Sequence, residues 1–193
     1  MDQAQLKSAL LADRLASYKR LRGGFPIPLA GTVYWGALAW LGTRVELADW
    51  CMAAFIGSGA IFPLAVLFAA LFRNPFMKDR TATGDVLVPA FISMLLFWPM
   101  IVGAVKVAPE LVPLILGIGM SLHWPVIGWS YGRTALFSAH AIVRAIACIL
   151  IWLWFPEDRL TLLPLAVAGV YLVTVLAILV DSRLVKVPEP LAV

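Results

Sequence analysis

From Phe25 to Val180 the chain is a succession of six apolar runs separated by short polar segments, each run about as long as a bilayer is thick. A hydrocarbon core of about 30 Å is crossed by some 20 residues in helical form, because a helix rises about 1.5 Å per residue and satisfies its own backbone hydrogen bonds. The runs predict helices near residues 25 to 42, 49 to 72, 86 to 107, 110 to 130, 135 to 155 and 160 to 180. The expected fold is therefore an all-α integral membrane protein with six transmembrane helices.

Ahead of the first run, Leu11, Leu15 and Tyr18 recur at helical spacing among basic residues, and Gly23-Gly24 followed by Pro26 ends the helix. This N-terminal amphipathic helix lies on the cytoplasmic leaflet or packs over the inner loops; the pattern fits both. Some twenty polar and charged residues before the first apolar run argue against a cleavable signal sequence. The expected organisation is residues 1–24 as a cytoplasmic amphipathic helix, 25–180 as the transmembrane domain and 181–193 as a cytoplasmic tail.

Composition agrees: 62% of residues are hydrophobic and 13% charged, against about half and about a quarter in soluble domains. Water is not the main solvent of this chain. Basic residues resist translocation and collect on the cytoplasmic side. Lys7, Arg14, Lys19, Arg20, Arg22, Arg73, Lys78, Arg80, Arg133, Arg183 and Lys186 fall on one side, and Arg44, Lys106 and Arg159 on the other. Both termini are thus expected in the cytoplasm. Trp40, Trp50, Trp152 and Trp154 gather at the opposite ends of the helices, at headgroup depth. The net charge of +4 resides in juxtamembrane loops, where anionic membrane lipids are the counter-charge, so nucleic acid is not an expected partner. Cys51 and Cys148 belong to different runs and read as small hydrophobes rather than a disulfide.

Pro63, Pro99 and Pro125 interrupt three of the runs and free the carbonyls of Gly59, Leu95 and Ser121. Gly57-Ser-Gly59 before Pro63 and Gly117-Ile-Gly119 before Pro125 stand about sixty residues apart, which suggests three successive two-helix hairpins. Such interruptions point to a midplane site in transporters, although small residues also simply let helices pack closely.

The candidate chemistry is polar. His140 and Arg144, four residues apart, share one face of the fifth helix, and His123 on the fourth falls at a similar depth. A short connection around Gly132-Arg133 makes the two helices antiparallel neighbours; Ser121, Trp124, Ser130 and Tyr131 can line the same region. Arg144 cannot shed its proton, and every acidic residue, including Asp49, Asp85, Glu110 and Asp181, sits at or beyond a helix end. Its charge is met by freed carbonyls, water, snorkelling or an anionic ligand bound bidentately. Two histidines are too few for a catalytic metal site, and no nucleophile motif accompanies Ser121 or Ser138. No metal or other cofactor is expected, and the balance is against an enzyme.

The stretches Gly24-Phe25-Pro26 to Tyr34-Trp35, Gly59-Ala60-Ile61-Phe62-Pro63-Leu64 and Leu122-His123-Trp124-Pro125 to Gly128-Trp129-Ser130-Tyr131 resemble a family of small bacterial six-helix membrane proteins classed as a domain of unknown function. The resemblance implies a multi-pass protein of the bacterial inner membrane and brings no activity with it. Three readings follow. In the first, a small anionic or amphipathic solute is bound or transported at the intramembrane cluster, with Arg144, His140, His123, Ser121, Trp124 and Tyr131 as ligand-binding residues. The second is a lipid-headgroup-binding protein or intramembrane lipid enzyme, and the third a non-enzymatic subunit of a homo-oligomer or larger membrane complex.

Overall fold

The computed structural model describes residues 2–188, and these are helical without any strand. The helices are α1 (Gln3–Arg20), α2 (Pro26–Gly42), α3 (Leu47–Ser58), α4 (Ile61–Leu71), α5 (Leu87–Leu95), α6 (Trp98–Val107), α7 (Val112–Gly119), α8 (Trp124–Ser130), α9 (Thr134–Trp154) and α10 (Arg159–Leu184).

The prolines account for the subdivision. Pro63, Pro99 and Pro125 each stand in the first turn of the helix that follows a break, where a missing N–H costs nothing. The glycine pairs mark two of these breaks: α3 ends at Ser58, beside Gly59, and α7 ends at Gly119. Of the three freed carbonyls, that of Ser121 is taken up by the Trp124 amide at 3.0 Å. By contrast α9 and α10 run unbroken for 21 and 26 residues, with Pro164 tolerated inside α10.

Four stretches are long and apolar enough to cross a membrane: Gly84–Val107, Pro109–Ser130, Thr134–Trp154 and Arg159–Leu184. A fifth is added if α3 and α4, bent by 48°, form one broken span. Six such spans were expected. The second run is divided by its glycine and proline, and α2 stops after 17 residues.

The packing is antiparallel, and glycines set its closeness. Gly23, Gly31 and Gly42 oppose Ile178, Tyr171 and Leu160, so α2 lies against α10 over its whole length. A Cβ on Gly31 would stand 2.7 Å from the Tyr171 ring. Gly117 opposes Cys148 and Gly128 opposes Phe137, which runs α7 and α8 back along α9. Cys51 and Cys148 are both free and buried, as small hydrophobes. Outward-facing positions of α9 and α10 carry Ile142, Val143, Ile146, Val173, Leu176 and Val180, all exposed. An apolar exterior around a core holding Arg144 and His140 is the pattern of a chain solvated by lipid.

One tryptophan departs from its expected place at the interface. Trp50 is fully buried and donates to the Leu38 carbonyl at 3.0 Å, locking α3 against α2. Trp152 donates to the Glu110 carbonyl at 3.2 Å and carries Arg159 over its ring.

α1 is a helix packed over loops. Its buried face is Ala12, Leu15, Ser17 and Tyr18, whereas Leu11 is left exposed. Arg20 pairs with Asp79 at 2.7 Å, the Ser17 hydroxyl donates to the same carboxylate, and Asp13 accepts from the Ala82 amide. The Tyr18 phenol is pushed above its ordinary range by burial first and then by the Asp181 carboxylate. Positive φ angles at Gly23 and Gly24 turn the chain from α1 into α2. At the other terminus α10 outruns the expected end at residue 180 and reaches Leu184, because Asp181 is held by Arg133 at 2.8 Å and Ser182 is buried. Of the predicted tail 181–193, residues 189–193 lie outside the described residues.

Candidate functional site

Arg144 is the eleventh of the 21 residues of α9, about 15 Å from either end of the helix. Its side chain is 0% exposed. Nη1 donates to the Tyr171 hydroxyl at 2.9 Å, and the guanidinium carbon lies 5.0 Å from the centre of the Trp35 ring and 5.1 Å from that of Tyr171. Nε and Nη2 have no partner. Among the described residues the ion pairs are Arg20–Asp79 and Arg133–Asp181, both at the end of the bundle covered by α1. The charge is met by aromatic faces and one phenol, and neither snorkelling nor a carboxylate compensates it.

Magnitudes show what this leaves. Two desolvated cation–π contacts contribute about 2 kcal/mol each and a charged hydrogen bond about 1.5–3. Burying an ion costs several kcal/mol after relaxation, and each unpaired N–H adds about 1–3. The two sides are near balance at best, and the three N–H donors on Nε and Nη2 remain free.

His140, one turn before Arg144, is pinned from both sides. Its Nδ1 is 2.8 Å from the Thr174 hydroxyl, which itself donates to the Val170 carbonyl; the hydroxyl proton being used there, Nδ1 is the donor. The ring stacks on Trp124 at 3.8 Å and meets the Tyr171 ring edge to face at 4.8 Å. Nε2 has no partner.

A cavity of about 500 Å³ lies beside this core, between α4 and α5, and is floored by α8. His123, Trp124, Tyr131 and Tyr171 line it with Phe62, Phe91, Met94 and Met120. The His123 ring packs 5.0 Å from Phe91, and its Nδ1 is buried without a partner. Phe76, Leu87 and Tyr131 separate the cavity from a second one of about 320 Å³, a polar vestibule under α1 bounded by Ser17, Asp79, Arg80 and Asp85.

Of the six residues expected from the sequence, Arg144, His140 and Trp124 are thus drawn into one buried core around Tyr171. His123, Trp124 and Tyr131 line the cavity. Ser121 is buried but spends its hydroxyl on the Ile118 carbonyl of its own turn. Tyr131 sits towards the end of the bundle, packed on Tyr18 and Phe137. Trp35, Tyr171 and Thr174 were missed. Tyr171 and Thr174 had a signal, being polar groups three residues apart in an otherwise apolar run; Trp35 had none beyond its size.

No curated protein and no solved structure matches this chain. One family model does, over residues 12–181. With most of its length matched, the chain belongs to the family of unknown function DUF7010.

Proposed function

We propose that this membrane protein binds a small amphipathic anion in the cavity between α4 and α5, with Arg144 as the fixed positive charge that selects it. The observation that carries the reading is a guanidinium buried at mid-helix with two unpartnered nitrogens, Nε and Nη2, and no carboxylate. Behind the wall formed by Tyr171, that charge gives the cavity a positive potential, strengthened by the low dielectric around the guanidinium. The His123 imidazole lines the cavity and supplies a direct contact for the anion, and the apolar lining takes the rest of the molecule. In this reading the chain crosses a bacterial inner membrane six times with both termini in the cytoplasm, and the vestibule under α1 faces that side, divided from the cavity by Phe76, Leu87 and Tyr131.

Purified protein in lipid nanodiscs, melted with a panel of phosphates, carboxylates and anionic lipids, tests the reading. A ligand present at a hundred times its Kd stabilises by about 2.7 kcal/mol and raises the midpoint accordingly. Arg144→Gln, which keeps a polar head but drops the charge, is expected to abolish the shift. A shift that persists unchanged in Arg144→Gln removes Arg144 from the site.

A further inference from the structure

The cavity is walled by rings to an unusual degree: Phe62, Phe76, Phe91, Trp124, Tyr131 and Tyr171 all face it. Met94 and Met120 fill the intervals with polarisable sulfur. Phe62 and Phe91 are also exposed, so the cavity opens laterally. An acyl chain gains little by leaving the bilayer for such a space, since lipid tails are as apolar as the wall. An inorganic anion loses its hydration and covers none of the apolar lining. A flat aromatic body gains both offset and edge-on ring contacts, each worth about 0.5–1.5 kcal/mol beyond area, and thioether contacts that the bilayer does not offer.

The polar end of the ligand is set by Tyr171. Its hydroxyl oxygen accepts from Arg144, and no side chain or carbonyl of the described residues takes its own proton. A phenol that accepts from a fixed cation is a stronger donor than a free one, because the bonds polarise one another. Tyr171 and His123 both line the cavity, which makes them two side chains able to donate to its contents, with the guanidinium behind Tyr171. Arg144 is here a positioning residue that acts through Tyr171.

We infer that the cavity takes a planar aromatic carboxylate, its rings held among Phe91, Trp124 and Tyr171 and its carboxylate accepting from Tyr171 and His123. This rests on the function proposed above and narrows its ligand class.

The test uses the full-length protein in phosphatidylcholine nanodiscs and four probes: 2-naphthoate, its neutral analogue 2-naphthylmethanol, decanoate and inorganic phosphate. The expected result is a midpoint raised by several degrees by 2-naphthoate alone, with Tyr171→Phe weakening that response about tenfold in apparent Kd. Equal shifts from decanoate and 2-naphthoate overturn the aromatic class and leave the amphipathic anion standing. A shift from phosphate alone also overturns it. Equal shifts from the naphthoate and the alcohol overturn anion recognition, and with it the proposed role of Arg144; no shift from any anion overturns both. Should Tyr171→Phe not fold, Phe91→Leu on the exposed rim serves instead. It is expected to lower the response to 2-naphthoate and leave that to decanoate unchanged, and an unaltered naphthoate response counts against the inference.

Discussion

A buried arginine either holds a protein together or is tolerated for what it does, and Arg144 can be made to say which. If the guanidinium were a lock between α9, α10 and α2, removing it would cost the two ring contacts and the Tyr171 hydrogen bond. Against that stand the desolvation of the charge and the unpartnered Nε and Nη2. Replacing buried ionic groups by apolar side chains of similar volume is often neutral or stabilising by about 1–4 kcal/mol. Arg144→Met is therefore expected to melt no lower than the parent while losing its response to the anionic ligand. A midpoint lower by an amount equivalent to about 3–5 kcal/mol, the usual cost of breaking a needed buried pair, would show that the residue is structural. At this scale the sequence was informative where chemistry is scarce. A charge in an apolar run with every acid at a helix end was visible without coordinates, as was the pair His140 and Arg144 on one face. That Trp50 would face inwards was not legible, because a tryptophan near a helix end suits both the headgroups and the core.

Between elements, the decisive surface is the seam of α2 and α10, since it fixes the Tyr171 ring. Gly31 lies so close to Tyr171 that a methyl group there must displace the ring on which both Arg144 and the cavity depend. Gly31→Ala is expected to lower stability by about 1–3 kcal/mol, the usual cost of overpacking, and to weaken ligand binding with it. Gly169→Ala on the same α10 has open space around it and should be neutral or gain up to about 1 kcal/mol from helix propensity. Paired melting curves of the two variants check this; equal effects would mean that the seam does not set the ring. The breaks in the second, third and fourth runs were legible from their prolines, although Pro164, carried inside α10, shows that a proline does not by itself end a helix. The cavity was not. It is a space left between α4 and α5 over the floor of α8, and hydrophobic periodicity records which face of a helix is apolar, not whether another helix reaches it.

Across the whole molecule, the question is whether α3 and α4 cross the membrane together or turn back within it, since their 48° bend suits both. Contacts at the end covered by α1 favour crossing. The Asn74 side chain donates to the Leu21 carbonyl and Arg22 donates to the Phe72 carbonyl, each at 2.7 Å. Residues 72–74, just past α4, therefore lie beside residues 21–22, just before α2. The loop joining α2 to α3 lies at the far end of α2, about 25 Å away at 1.5 Å per residue. The chain thus goes out along α2 and returns over the same distance through the bent pair, so whatever depth α2 traverses, α3 and α4 traverse as well. With Cys51 and Cys148 replaced by alanine, single cysteines at Lys7 and Arg80 should react with a membrane-impermeant maleimide only in inside-out vesicles. Cysteines at Arg44 and Glu157 should react only in intact cells whose outer membrane has been opened. Reaction at Arg80 from the same side as Arg44 would make the bent pair a re-entrant loop. It would also put the vestibule on the opposite side of the membrane from the amino terminus, which the Arg20–Asp79 ion pair forbids while the protein remains folded.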